Sequence, residues 1–92
     1  MQYYQIEWEH EEPDEPWKLY LEMDSRGYLR RKIEVFRIGL YQPLDDIDDP
    51  APIDPRQMAG SEGNVTQLNR IQFEDIWTQS REMPDGLMGM FF

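Results

Sequence analysis

Cysteine is absent from the 92 residues, so neither a disulfide framework nor a thiolate zinc site supplies stability or chemistry, and a reducing, cytoplasmic setting is the expectation. Histidine occurs once, at His10, and serine three times, at Ser25, Ser61 and Ser80. Nucleophilic catalysis needs a hydroxyl or thiol held beside a base, and no motif brings these few residues together. An enzyme is therefore not expected. His10 reads as a strand-end residue bonded to the acidic turn after it, kept protonated by a neighbouring carboxylate. No apolar run approaches the ~20 residues of a membrane span. The first ten residues, with Glu7 and Glu9 among them, do not form a basic-then-apolar signal peptide.

Basic residues are scarce as well: nine against nineteen acids, a net charge of −10. Their order along the chain is informative. Residues 1–24 carry eight acids and Lys18, for −7; residues 25–37 reverse the sign with Arg26, Arg30, Arg31, Lys32 and Arg37 against Glu34, for +4. Residues 38–54 add Asp45, Asp46, Asp48, Asp49 and Asp54, and residues 55–92 contribute −2. Such a field repels nucleic acid and anionic membranes and steers the chain toward a basic protein.

What is present is enough for one core. Hydrophobic residues make up 39% and aromatics 13%, including Trp8, Trp17 and Trp77. Each large aromatic removes roughly 150–250 Å² from water when buried. The boundaries read as a single acidic α+β domain over 1–82 followed by an apolar C-terminal tail over 83–92.

Tyr4, Ile6, Trp8 and His10 alternate with Tyr3, Gln5, Glu7 and Glu9, the period of a half-buried antiparallel strand. Pro13 and Pro16 interrupt pairing. Trp17, Leu19, Leu21 and Met23 then alternate with Lys18, Tyr20, Glu22 and Asp24 in a second strand. Asp24-Ser25-Arg26-Gly27 is a hairpin turn, and Arg31, Ile33 and Val35 mark a third strand. A turn at Arg37-Ile38-Gly39 leads to a short fourth strand at Leu40 and Tyr41, and basic side chains of the third strand then lie beside acids of its neighbours.

Pro43, Pro50, Pro52 and Pro55 make residues 43–64 mostly loop, with at most one helical turn at Arg56 to Met58 after Asp54-Pro55. A brief strand is expected at Val65 to Leu68. Asn69 and Gln72 form a capping box, with Leu68 and Phe73 placed as a hydrophobic staple, so a helix should begin at Arg70. Phe73, Ile76 and Trp77 share its apolar face. The fold class is α+β: an antiparallel meander sheet of three to five strands with one C-terminal helix on one face.

Three segments are candidates for contact with a partner. Glu11, Glu12, Asp14 and Glu15 form the densest acidic cluster, and the prolines beside them restrict the loop. Asp45, Asp46, Asp48 and Asp49 form a second acidic lip. They lack the glycine and distal glutamate of an EF-hand loop, so no metal is assigned to them. Tyr3, Tyr20 and Tyr41, placed on an open sheet face, are candidate anchors, Tyr20 foremost. The tail residues Leu87, Met88, Met90, Phe91 and Phe92 need cover, from a sheet edge, the second sheet face, a partner's groove or a twin subunit. No cofactor is expected.

Several of these residues together resemble a group of short bacterial domains of unknown function. They are Trp8-Glu9-His10, Pro13-Asp14-Glu15-Pro16, Tyr20, Glu22, Gly27-Tyr28, the run Arg31-Lys32-Ile33-Glu34-Val35-Phe36-Arg37 before Gly39, and Phe73-Glu74 with Trp77. The likeness covers about residues 4–41 and, loosely, the last helix. Ile38 stands where that group tends to have Asp or Asn, and the chain after Gln79 departs from it. The resemblance implies a fold and carries no catalytic residues. By analogy with small acidic immunity proteins, it points to an inhibitor of a nuclease or other nucleic-acid enzyme, whether of toxin-immunity or anti-defence type. The alternative is a structural subunit that docks or dimerises through its sheet edge and tail.

Overall fold

A computed structural model describes residues 1–10, 12, 14–45, 47 and 52–82. Five antiparallel strands form one sheet: β1 (Gln2–Trp8), β2 (Lys18–Met23), β3 (Leu29–Val35), β4 (Tyr41–Leu44) and β5 (Gly63–Leu68), in the order β4-β3-β2-β1-β5. The first four are the expected meander, and β5 returns to pair with β1 on its free side. Among the described residues two helices accompany the sheet, α1 (Pro55–Ala59) and α2 (Arg70–Glu82).

The turns follow local chemistry. Asp24 Oδ1 accepts from the Arg26 and Tyr28 backbone N–H groups, at 2.9 and 3.0 Å, and Gly27 takes φ +86°, which closes the β2–β3 hairpin. At the head of α2, Asn69 Oδ1 accepts from Gln72 N–H at 2.8 Å while Gln72 Oε1 accepts from Asn69 N–H at 2.9 Å, the reciprocal pair of a capping box. The helix begins at Arg70, as expected. In α1, Asp54 caps Arg56 N–H and Pro55 opens the helix, which extends one residue beyond the expected Arg56 to Met58 at each end and stops at Gly60.

The sheet is covered on both faces. On one, Tyr3, Tyr20, Ile33 and Val35 pack under Phe73 of α2, with Trp17, Tyr41, Leu68, Ile76 and Trp77 around them. On the other, Ile6, Leu19 and Leu21 pack under Ala59 of α1, with Trp8, Leu29, Ile53 and Val65 around them. The expectation of an open face bearing Tyr3, Tyr20 and Tyr41 is therefore corrected. Tyr3 and Tyr20 are only 7% and 6% exposed, because α2 lies across them, and Tyr41 is half-buried beside it. The fourth strand is also longer than Leu40 and Tyr41: Pro43 is accommodated at the sheet edge, where one strand side needs no donor. Ser80 is buried and donates its hydroxyl to Trp77 O at 2.7 Å.

Candidate functional site

The register sorts the charged residues to the two ends of the sheet. Residues 9–17, 36–40 and 60–62 join strands at one end; residues 24–28, Asp45 and the head of α2 lie at the other. The first end holds Glu9, Glu12, Asp14, Glu15 and Glu62, all exposed, with Lys18 and Arg37 as the nearby cations. The second holds the exposed Arg26, Arg30, Arg70 and Asp45.

The acids that find internal partners are different ones. Arg31 donates from Nε and Nη2 to the two carboxylate oxygens of Glu22, both at 2.7 Å, and from Nη2 to Glu74 on α2. Its guanidinium also lies 4.7 Å from the Trp77 ring centroid and 5.0 Å from that of Phe73. Hydrogen bonding to Glu22 raises the Arg31 pKa against the lowering effect of burial. Lys32 pairs with Glu34 and Arg81 with Asp45, each at 3.6 Å. The cross-strand charge cancellation expected from β3 is thus concentrated at Arg31. Glu12, Asp14 and Glu15 form no ion pair with any cation among the described residues.

The connection between β1 and β2 is held at its base. Trp8 N–H donates to Trp17 O at 2.9 Å, and the His10 ring accepts at Nδ1 from Glu12 N–H (3.1 Å) and so donates from Nε2 to Pro16 O (3.0 Å). His10 is thus bonded to the acidic connection after it, as expected, with backbone groups as the partners of both ring nitrogens. Arg37 Nε donates to His10 O, and its guanidinium lies 5.3 Å from the Trp17 ring, which Lys18 also approaches at 4.5 Å. Lys18 and Arg37 therefore engage an aromatic ring and a carbonyl instead of the loop carboxylates.

Among the described residues, Asp45 of the second acidic segment is not brought to the first. Asp45 follows β4, whose Tyr41 pairs with Val35 and whose Leu44 pairs with Lys32, so it sits a strand's length from Glu12, Asp14 and Glu15. Glu11, Asp46, Asp48 and Asp49 lie outside the described residues, as do the tail residues Leu87, Met88, Met90, Phe91 and Phe92. Tyr20 is withdrawn from the surface, as given above. Among the described residues, no group of three or more His, Cys, Asp and Glu side chains is placed to hold a metal ion, and no helix is long and apolar enough to cross a membrane.

One site residue was not singled out from the sequence. Antiparallel pairing of β5 with β1 sets Gly63 opposite Trp8, which carries Glu62 next to the β1–β2 connection. Trp8, His10, Glu15, Pro16 and Glu62 then line a cleft of about 470 Å³. Only the long-range pairing could reveal this, since nothing local to Glu62 marks it.

No curated protein and no solved structure matches the chain. Residues 2–48 match a family described as a domain of unknown function, DUF6881, and the match spans β1 through β4 with the acidic β1–β2 connection inside it. With more than half its length so matched, the chain belongs to the DUF6881 family of domains of unknown function.

Proposed function

We propose that this protein is a non-catalytic acidic binder that masks the basic surface of a protein partner, as an inhibitor of a nuclease or other nucleic-acid enzyme, of toxin-immunity or anti-defence type. The observation that carries this reading is a group of exposed carboxylates that meet none of the chain's cations among the described residues. Glu22, Glu34, Glu74 and Asp45 meet the chain's own cations, while Glu12, Asp14 and Glu15 face solvent at one end of the molecule. An exposed carboxylate cluster accelerates encounter with a positive surface. Its attachment through Trp8, His10, Pro16 and Arg37 limits the ordering cost of docking. With Tyr20 buried, the anchors of such an interface belong to the loop end itself.

The test begins with affinity capture from the native host to obtain the partner. Its binding is then titrated calorimetrically at about 50 mM and about 500 mM salt, which shortens the Debye length severalfold. Weakening with salt, and a matching loss in an E12Q/D14N variant, are expected. Affinity unchanged by both salt and substitution overturns the reading.

An assembly subunit is the second reading, favoured by β5, a six-residue strand at the sheet edge with Asn64, Thr66 and Gln67 exposed. Light scattering of the full chain and of a variant lacking residues 88–92 tests it. An identical monomer mass for both argues against assembly through the tail.

A further inference from the structure

We infer that the cleft between the β1–β2 connection and the α1–β5 turn is a seat for one arginine side chain of a protein partner. This rests on the acidic-binder reading and names what that surface grips. Carboxylates alone would be a solvated rim; here they border a shaped, half-apolar recess. Trp8 and Pro16 form its walls, His10 contributes a ring, and Glu15 and Glu62 approach from two different segments. The volume, about 470 Å³, falls within the roughly 300–1,000 Å³ of small-ligand clefts.

The walls are fixed before any ligand arrives. Trp8 Nε1–H donates to Ala59 O at 2.8 Å, which orients the indole. Gly63 permits that contact: a Cβ there would meet Ala59 O at 2.6 Å and Trp8 Nε1 at 2.7 Å. Both nitrogens of His10 are engaged by backbone, so the ring offers its carbon surface and stays in place.

Guanidinium suits this combination better than ammonium. It is planar and weakly hydrated, stacks on aromatic faces, and presents a fork of donors to carboxylate oxygens. Lysine would bring its charge to Glu15 and Glu62 but would not stack. The same protein already shows the pattern internally, where Arg31 bonds Glu22 and Glu74 while lying over Trp77 and Phe73.

The probe is N-acetyl-arginine methylamide, titrated into the ¹⁵N-labelled full chain and followed by amide and indole resonances. N-acetyl-citrulline methylamide, the neutral isostere, and N-acetyl-lysine methylamide are the controls. The arginine compound should give saturable shifts centred on the Trp8 indole N–H and the Glu15 and Glu62 amides. Citrulline should give none, and lysine should bind more weakly. An E15Q/E62Q variant, both positions being exposed, should be at least as stable as its parent and lose roughly tenfold in affinity, as expected for removing charge-assisted bonds. Equal shifts with citrulline, undiminished arginine binding by E15Q/E62Q, or shifts spread evenly over all exposed carboxylates overturn the assignment. Partner binding that still weakens with salt and with E12Q/D14N, in a chain whose cleft ignores arginine, removes the seat and leaves the acidic binder standing. Partner binding unchanged by both salt and E12Q/D14N removes the binder, whatever the cleft does.

Discussion

Arg31 is where side-chain chemistry and fold stability meet most directly. Its guanidinium joins β2 to α2 through Glu22 and Glu74, and Glu22 is only 6% exposed. Truncating one member of a buried pair leaves the other charge without compensation, which costs more than the pair contributes. Arg31→Met should lower stability by about 2–4 kcal/mol, the upper part of the usual range being discounted because Arg31 is partly solvated. The E22Q/R31M double variant should be less destabilised than R31M alone. Urea unfolding of the single and double variants measures both, and a double variant as unstable as the sum of its parts would show the pair to be uncoupled. Tyr20 offers a spectroscopic check on the burial of its face. Desolvation, followed by the Tyr41 and Glu7 charges, pushes its pKa up to about 12, and burial with the nearby Glu22 raises that of Tyr3. The folded state thus holds these phenol protons more tightly than the unfolded chain does. That contribution is complete below the ordinary phenol value near pH 10 and is lost as pH climbs toward about 12. Titrating phenolate absorbance should show part of the five-tyrosine signal delayed until the chain unfolds. A single transition at the ordinary value would contradict the packing of α2.

At the scale of elements, α2 and α1 differ in how their positions are specified. The head of α2 is written locally: Asn69 and Gln72 bond each other, and Asn69→Ala should cost about 1 kcal/mol in thermal or urea unfolding. That is why its start was legible in the sequence to the residue. The hairpin at Asp24 was legible for the same reason. Backbone donors from Tyr28 and Arg26 lower the Asp24 pKa, so its contribution is present above the ordinary carboxylate value and fades as pH falls through the depressed one. The face that α2 covers was not legible. In β2 both alternating sets, Leu19-Leu21-Met23 and Tyr20-Glu22, are buried, and a strand covered on both sides gives no directional signal. Alternation alone therefore puts Tyr20 on the outside. Nor could residues 43–64 reveal that α1 covers the second face, since proline and aspartate dominate them and the contact depends on Ala59 meeting Trp8 across 51 positions. Gly63 tests that contact. Ala in its place must displace Ala59 O or the Trp8 indole, and Gly63→Ala should cost about 1–3 kcal/mol and shift the Trp8 indole resonance. The acidic connection itself was readable from composition and proline spacing, whereas Glu62 entered the site only through β5 pairing with β1.

For the whole molecule the decisive quantity is a net charge of −10 distributed unevenly. Exposed carboxylates that meet no cation repel one another in the compact state more than in the expanded chain, so they oppose folding. Residues kept despite such a cost are consistent with service at a binding surface, where stability and function trade against each other. Neutralising the loop in an E12Q/D14N/E15Q variant should therefore raise stability at low salt, by roughly 0.5 kcal/mol for exposed charges of this kind. The gain should shrink as salt screens the repulsion, and the unmodified chain should itself unfold at higher temperature in about 500 mM salt than in about 50 mM. The Arg31 cluster responds differently, because charges packed beneath α2 are screened far less than those at the sheet end. Thermal unfolding of the chain, of E12Q/D14N/E15Q and of R31M across a salt series separates the two sets. If the triple variant were less stable than its parent at low salt, Glu12, Asp14 and Glu15 would be compensated within the fold. No negative end would then remain for a basic partner to meet.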